Sequence, residues 1–298
     1  MNKNTTHDID VCMYRHTSKY LFSLYVCILV FCGLSHPVLA ADKSYSIAVV
    51  PQWQPIIVQR NWQPFLDEIS QRSGVTLSLL QSRSIPEFEN MILRGEPDFA
   101  YMNPYHAVMV QGKQNYIPLV RNGEKELNGI LVVRKDSNIK HIKQLDGMHV
   151  VLPSPNAFGA SLFIRAFLEK FENVKIIPRY VNTHANVYRN VIFKTAKAGG
   201  GVNQTLTREK RGVQKRLKVI YQTPSTAPHP LTAHPRIPAE IRNRVTAAIQ
   251  SMWTDTSQQH LLYSVQLSSP VKADYREDYA PLEVLGLESF VERPSVQD

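Results

Sequence analysis

Pro97-Asp98-Phe99-Ala100-Tyr101-Met102-Asn103-Pro104-Tyr105-His106 changes character in its middle. Phe99 to Met102 reads as a short apolar strand. Asn103 is a favoured helix cap, and Pro104 suits the first helical position, where an N–H has no partner to lose. Ala107, Val108 and Val110 continue an apolar helical face. A strand thus gives way to a helix at Asn103. In open α/β sheets, ligands sit beyond the carboxyl ends of strands, beside helix N-termini. Tyr101, Asn103 and Tyr105 gather at such a junction and are ligand-binding candidates; a plain strand-to-helix turn with buried tyrosines is the alternative.

Upstream, Ser44 to Pro51 reads as a first strand, and Pro51-Gln52-Trp53-Gln54-Pro55 as a polar-aromatic loop. A helix covers about Trp62 to Ser73, ended by Gly74. Thr76 to Gln81 is a strand, and Ser84-Ile85-Pro86-Glu87 is a capping box opening a helix to about Arg94. Downstream, Tyr116 to Arg121 and Leu127 to Arg134 are strands. From His149 the alternation resumes: a strand to Leu152, the loop Pro153-Ser154-Pro155-Asn156, a helix from Ala157 to about Phe171, and a strand Val174 to Val181. Thr183 caps a helix predicted to run to about Ala198, where Gly199-Gly200-Gly201 breaks it. Lys218 to Gln222 is a strand, and the proline-rich Thr223 to Pro235 an extended crossing segment. A helix with Ile241, Val245, Ala248 and Ile249 on one face follows, and a short one near Leu282 to Leu287 closes the chain. Two strand–helix series predict an α/β fold of two lobes with a ligand cleft between them. Lobe 1 is discontinuous, 41–130 plus 225–298, and lobe 2 is 131–224.

Of the 298 residues, 43% are hydrophobic and 20% charged, a globular composition. Residues 1–40 read as a secretory signal peptide: Arg15 and Lys19, an apolar run from Tyr20 to Leu34, then Val38-Leu39-Ala40 at the cut. An uncleaved anchor and a translation start at Met13 are alternatives. Cys12, Cys27 and Cys32 all fall in this leader, so the exported chain has no disulfide, thiolate metal site or cysteine nucleophile. Without Lys3, Arg15, Lys19, Asp8 and Asp10 the chain holds 31 basic and 23 acidic residues, a net of +8. That field favours anionic ligands. The densest basic run, Arg208 to Lys218, reads as a solvated helix face and forms no nucleic-acid module.

Asn61-Trp62-Gln63-Pro64-Phe65-Leu66 after the first strand, the Pro97 to Tyr105 motif, and the Pro155-Asn156 loop opening a helix together resemble the phosphate/phosphite/phosphonate-binding periplasmic proteins of ABC importers. The resemblance runs from about Ser44 to Leu287. It implies a two-lobed type II periplasmic binding fold that closes around a small anion, with Tyr101, the loop Ser154 to Ser161, and His184 lining the cleft. Members that bind phosphonates usually carry a serine/threonine run at this helix start. Here the stretch is Asn156-Ala157-Phe158-Gly159-Ala160-Ser161, with most hydroxyls gone and Phe158 adding an apolar face. Gly200-Gly201-Val202-Asn203, where such proteins offer a carboxylate, is not acidic. An aminoalkyl phosphonate fits poorly; another oxyanion, or an organic acid with an apolar portion, fits at least as well.

Ser154, Asn156 and Ser161 carry groups that can hold a ligand, or serve as turn and cap. His184 follows the cap Thr183, where the helix dipole favours a neutral ring, and Tyr188 shares its helix face. Asn203 follows a glycine run that admits close backbone approach. Gln52 and Trp53 end the first strand at the same cleft edge. His229 and His234 are too few for a zinc site, and no cofactor is expected. There is no Gly-x-Ser-x-Gly elbow and no His-Glu-x-x-His pair, so no catalytic residue is named. The reading is a monomeric periplasmic solute-binding protein delivering a small anion to the membrane subunit of an ABC importer. A ligand sensor feeding a membrane sensor kinase is the alternative, and a secreted enzyme comes third.

Overall fold

The computed structural model describes residues 43–124 and 126–292. The predicted leader, its cut after Ala40 and all three cysteines lie outside the described residues. In chain order the elements are β1 (Tyr45–Val49), α1 (Pro55–Ser73), β2 (Leu77–Leu80), α2 (Ile85–Leu93), β3 (Phe99–Tyr101), α3 (Pro104–Val110), β4 (Ile117–Asn122), β5 (Gly129–Arg134), β6 (His149–Leu152), α4 (Phe163–Phe171), β7 (Ile177–Tyr180) and α5 (His184–Ile192). There follow β8 (Ala198–Val202), α6 (Asn203–Thr207), α7 (Arg211–Gln214), β9 (Leu217–Gln222), β10 (Leu231–Ala233), α8 (Ala239–Thr254), α9 (Gln259–Ser264), β11 (Pro270–Lys272) and α10 (Tyr275–Asp278).

The strands form two sheets, ordered β11-β4-β10-β3-β1-β2 and β7-β6-β8-β5-β9. β1 pairs in parallel with β2 and β3, while β10 runs antiparallel between β3 and β4. In the second sheet β6 is parallel to β7 and β8, and β5 is antiparallel to β8 and β9. Residues 123–124 and 126–128 on one side and 223–230 on the other carry the chain between the sheets, and Leu127 and Thr226 pair across these two crossings. The last 3-10 turns, Ala280–Leu285 and Leu287–Phe290, lie against α4: Arg165 donates to the Phe290 carbonyl (2.8 Å) and Lys170 to that of Leu285 (2.6 Å).

Local rules set the helix starts. Asn103 Oδ1 accepts from the His106 N–H at 2.7 Å, and Ser84 from that of Glu87 at 3.3 Å. The Glu87 carboxylate reaches back to the Arg83 N–H (2.7 Å), completing the predicted capping box. α1 starts at Pro55, earlier than the sequence pattern indicated. Pro55 takes the first turn, and Pro64 sits inside a helix held by the buried Trp62, Phe65, Leu66 and Ile69. Burial of that stripe outweighs the hydrogen bond lost at the inner proline.

The predicted crossing segment holds strand β10, in the middle of the first sheet. The larger difference is the glycine run. α5 ends at Ile192, and Gly199-Gly200-Gly201 is no helix breaker but the body of β8, between β6 and β5. A Cβ on Gly200 would lie 2.2 Å from the Ala160 carbonyl oxygen, and one on Gly129 of neighbouring β5 would lie 2.2 Å from that of Gly159. Bare backbone at these two points lets the segment 157–162 rest directly on the sheet. That segment opens with a π turn, Phe158–Leu162, which runs into α4. Its Ala157, Phe158, Leu162 and Phe163 join the core cluster of the first sheet. The start of this helix therefore sits where the two halves meet.

Candidate functional site

Helix starts from both sheets converge at that meeting place: those of α2 and α3 from the first, and those of the π turn, α5 and α6 from the second. They enclose a cavity of about 20 Å³, close to the space of one water-sized group. Its polar lining is Gln52, Asn103, His184 and His229, set among Val50, Ile85, Phe158 and Val202. Ala157, Gly159 and Ala160 also face it, and the first N–H groups of a helix have no intrahelical acceptor. Among the described residues no lysine, arginine, aspartate or glutamate lines the cavity.

Both histidines are buried, and burial depresses them: His184 to about 4 and His229 to about 3. Both rings are therefore neutral near pH 7. For His184 the Gln52 carbonyl opposes the effect of burial, whereas for His229 the neighbouring His106 and His184 add to it. Nδ1 of each ring is buried without a hydrogen-bond partner. Nε2 of His229 lies 3.0 Å from Nε2 of Gln52, whose Oε1 accepts from Nε2 of Gln266 at 2.7 Å. Gln266 has a φ of +67°, in the left-handed region uncommon for a side-chain-bearing residue.

The candidates separate into groups. Gln52, Asn103, Phe158 and His184 line the cavity. Tyr101 stands behind it, 4.9 Å from Trp62 and stacked on His229 at 5.6 Å, with burial raising its hydroxyl well above the usual range. Tyr105 is buried, its hydroxyl pushed up to about 12 by burial and then by Glu288 and Glu89. Trp53 and Ser154 line a wider opening beside the cavity, shared with Arg83, Tyr180 and Thr183. Ser154 Oγ is buried there without a partner, and the Arg208 guanidinium sits 5.8 Å over the Trp53 ring.

The remaining candidates use their polar groups within the protein. Ser161 donates to the Pro155 carbonyl (2.9 Å), and the Tyr188 hydroxyl meets Thr205 (2.7 Å) beneath Gly201. Asn203 ties the start of α6 to Asn128 and to the Glu126 carbonyl. Asn156 bridges the halves. Its Nδ2 donates to Glu89 Oε2 (3.0 Å) and to the Glu292 carbonyl (2.9 Å), and its Oδ1 accepts from the Glu292 N–H (3.1 Å). Asn103 Nδ2 points at the Asn156 carbonyl (3.4 Å) and at Nε2 of His106 (3.1 Å), which lies 3.1 Å from Glu89 Oε1.

Sequence reasoning missed His229, weighed only as half of a metal pair, and Gln266. The signal for His229 was a polar ring in a proline-rich segment with no charge beside it. His234 instead meets Gln114 beside Arg236 and Asp98. Among the described residues no group of three or more His, Cys, Asp or Glu is arranged to hold a metal ion, and no helix is long and apolar enough to cross a membrane.

Three solved structures resemble this one in fold. A binding protein component of an ABC phosphonate transporter from Pseudomonas aeruginosa is 16% identical, covering 82% of this chain and 85% of its own, with a TM-score of 0.70. PhnD1 from Prochlorococcus marinus in complex with methylphosphonate is 17% identical over 83% of this chain and 98% of its own, with a TM-score of 0.73. A Xanthomonas citri protein bound to chloride ion is 14% identical over 83% and 98%, with a TM-score of 0.70. No curated protein matches the chain. The family model of the periplasmic substrate-binding protein of the phosphonate ABC transporter matches residues 47–279. With helix starts from both sheets closing on one small cavity and that match over most of its length, the chain belongs to the phosphonate ABC-transporter family of periplasmic substrate-binding proteins, which carry a substrate to an importer and are not enzymes.

Proposed function

We propose that the ligand is a small tetrahedral oxyanion of the phosphonate, phosphite or phosphate kind, held in the cavity between the two sheets. The observation that carries this reading is the convergence of a helix start and two unpartnered imidazole nitrogens on one buried space. Helix starts offer N–H groups and a positive end to an anion. Gln52, Asn103, Phe158 and His184 are the contacts among the residues named from sequence, joined by His229. Tyr101 acts behind His229. Ser154 and Trp53 meet whatever part of the ligand reaches the opening, and Tyr105, Asn156, Ser161, Tyr188 and Asn203 hold the walls.

The cavity has room for little more than a water, so a three-oxygen head group enters as the lobes part and is held as they close. The crossings at 126–128 and 223–230 are the hinge of that motion, between lobes 41–130 plus 225–298 and 131–224. Ligand favours the closed form by its differential affinity for it. The exported chain begins after Ala40 and works as a monomer with the importer's membrane subunit.

A thermal-shift panel of phosphate, phosphite, methylphosphonate, sulfur oxyanions and small carboxylates tests the reading. At a hundredfold excess over Kd the correct class raises Tm by roughly 5–10 °C. No concentration-dependent rise with any anion removes the anion reading. A cationic or apolar ligand would then be sought, with a sensor kinase as partner.

A further inference from the structure

The cavity is not the whole of the cleft. An opening of about 500 Å³ lies beside it, within the range of small-ligand sites. The two spaces share Ile85, and the neighbours Gln52–Trp53 and Thr183–His184 each place one residue in the cavity and one in the opening. Both halves wall the opening: Trp53 and Arg83 from the first, Ser154, Tyr180 and Thr183 from the second. A head group held in the cavity therefore has room beside it for a substituent.

The lining sets the chemistry of that substituent. Five prolines, Ile85 and Trp53 make much of the wall apolar, and proline offers no N–H. Two polar groups stand out against it. Ser154 Oγ is buried without a partner, in a residue only 7% exposed, and a buried hydroxyl left unpaired costs free energy until something bonds to it. Arg83 is exposed and carries the only charge among the described residues of the lining. Its guanidinium has no hydrogen-bond or ion-pair partner among the described residues. Glu87, four residues on, gives its carboxylate to the Arg83 N–H (2.7 Å) and does not line the opening. Glu292 is likewise outside the lining, held by Tyr180 and Arg165. A cationic substituent would meet Arg83 and no acid, whereas an anionic one gains a partner.

We propose that the opening is a subsite for a carboxylate, so that the ligand is a tetrahedral oxyanion joined by a short apolar spacer to a carboxylate that Arg83 and the Ser154 hydroxyl receive. The proposal rests on the small-anion reading above and adds the far end of the ligand. One guanidinium balances one charge, and its planar fork matches a carboxylate. The spacer lies against the prolines and the Trp53 ring, which ask for no hydrogen bond from it.

Isothermal titration with propylphosphonate, 3-phosphonopropionate and 2-aminoethylphosphonate varies the tail on a constant head group, with methylphosphonate as the tailless reference. Near neutral pH the carboxylate form is expected to bind about fivefold more tightly than propylphosphonate, the scale of an exposed ion pair, and the amine form more weakly than either. The gain should shrink as salt is added. Arg83→Gln should erase it, Arg83→Lys should keep part of it, and Ser154→Ala should narrow it. The readout is the ratio of the two affinities within each variant, so a general loss of binding or stability cancels. Equal affinities for the propyl and carboxylate forms, or a ratio that Arg83→Gln leaves unchanged, overturns the proposal and leaves the small-anion reading standing. Tightest binding of the amine form, or heat from methylphosphonate alone, does the same. No heat from any of the four probes removes the small-anion reading and the proposal with it.

Discussion

Two polar clusters meet at the cleft, and each is built from asparagine or glutamine, histidine and a helix start. In the first, Asn156 is bonded on all sides to Glu89 and the Glu292 backbone, with Asn103 and His106 completing the set. In the second, Gln52 and Gln266 prepare His229 from behind, and both cavity histidines keep a buried nitrogen unpaired. Nδ1 of His106 in the first cluster is likewise buried without a partner, so an orphaned ring nitrogen does not by itself mark a ligand site. The rings of His184 and His229 line the cavity and that of His106 does not. A buried polar group without a partner costs free energy until something binds, and only at the cavity is there space for a ligand to reach it. Residue type alone does not separate them.

Acid should break this comparison most strongly. A neutral folded-state histidine with a depressed pKa stabilises fully above its unfolded value of about 6.5, and that stability is lost as pH falls toward the folded value. For His184 and His229 the window runs from about 6.5 down through about 4 and about 3. Chemical denaturation at pH 7 and pH 4 should differ by on the order of 5 kcal/mol from this pair. A double His184→Gln, His229→Gln variant should lose most of that dependence. If it keeps the full dependence, the acid sensitivity lies elsewhere.

The next effect belongs to the cluster around Asn156. Glu89→Ala strands His106 and Asn156 in a buried setting and should cost about 3 kcal/mol, lowering Tm by roughly 6–12 °C. The ligand-induced rise in Tm should survive, because Glu89 does not line the cavity. Loss of that rise would merge the two clusters into one.

The smallest effect sharpens the comparison from the cavity side. Gly200→Ala sets a methyl against the Ala160 carbonyl, which lies beside the cavity. Overpacking of this kind costs about 1–3 kcal/mol, and the shifted helix start should weaken oxyanion binding about tenfold or more. Unchanged affinity in titrations would show that the N–H groups of 158–160 do not hold the ligand.

The strand end at Tyr101 and the caps Ser84, Asn103 and Thr183 were legible because capping is local: the acceptor and its N–H lie within three residues. The duplication of strand–helix series, and with it the two sheets, followed from the same short-range signals. Asn156 illustrates what was not legible. Its partners stand 67 and 136 residues away, and no local pattern announces them. The same holds for His229, whose tautomer depends on Gln52 and Gln266. The glycines of β8 carry no hydrophobic alternation, so a strand with no side chains resembled a break. Their reason for being glycine is a helix arriving from residues 157–162, a contact visible only after folding.

That arrival decides how firmly the amide platform is held. Bare backbone at Gly129 and Gly200 seats the helix start from beneath. On its other surface Asn156 ties it to Glu89 and the Glu292 backbone, Phe158 packs into the first-sheet core, and Ser161 bonds to the Pro155 carbonyl. A clamp with two jaws moves when either is changed, so a substitution on the sheet side and one on the core side should shift the same N–H groups.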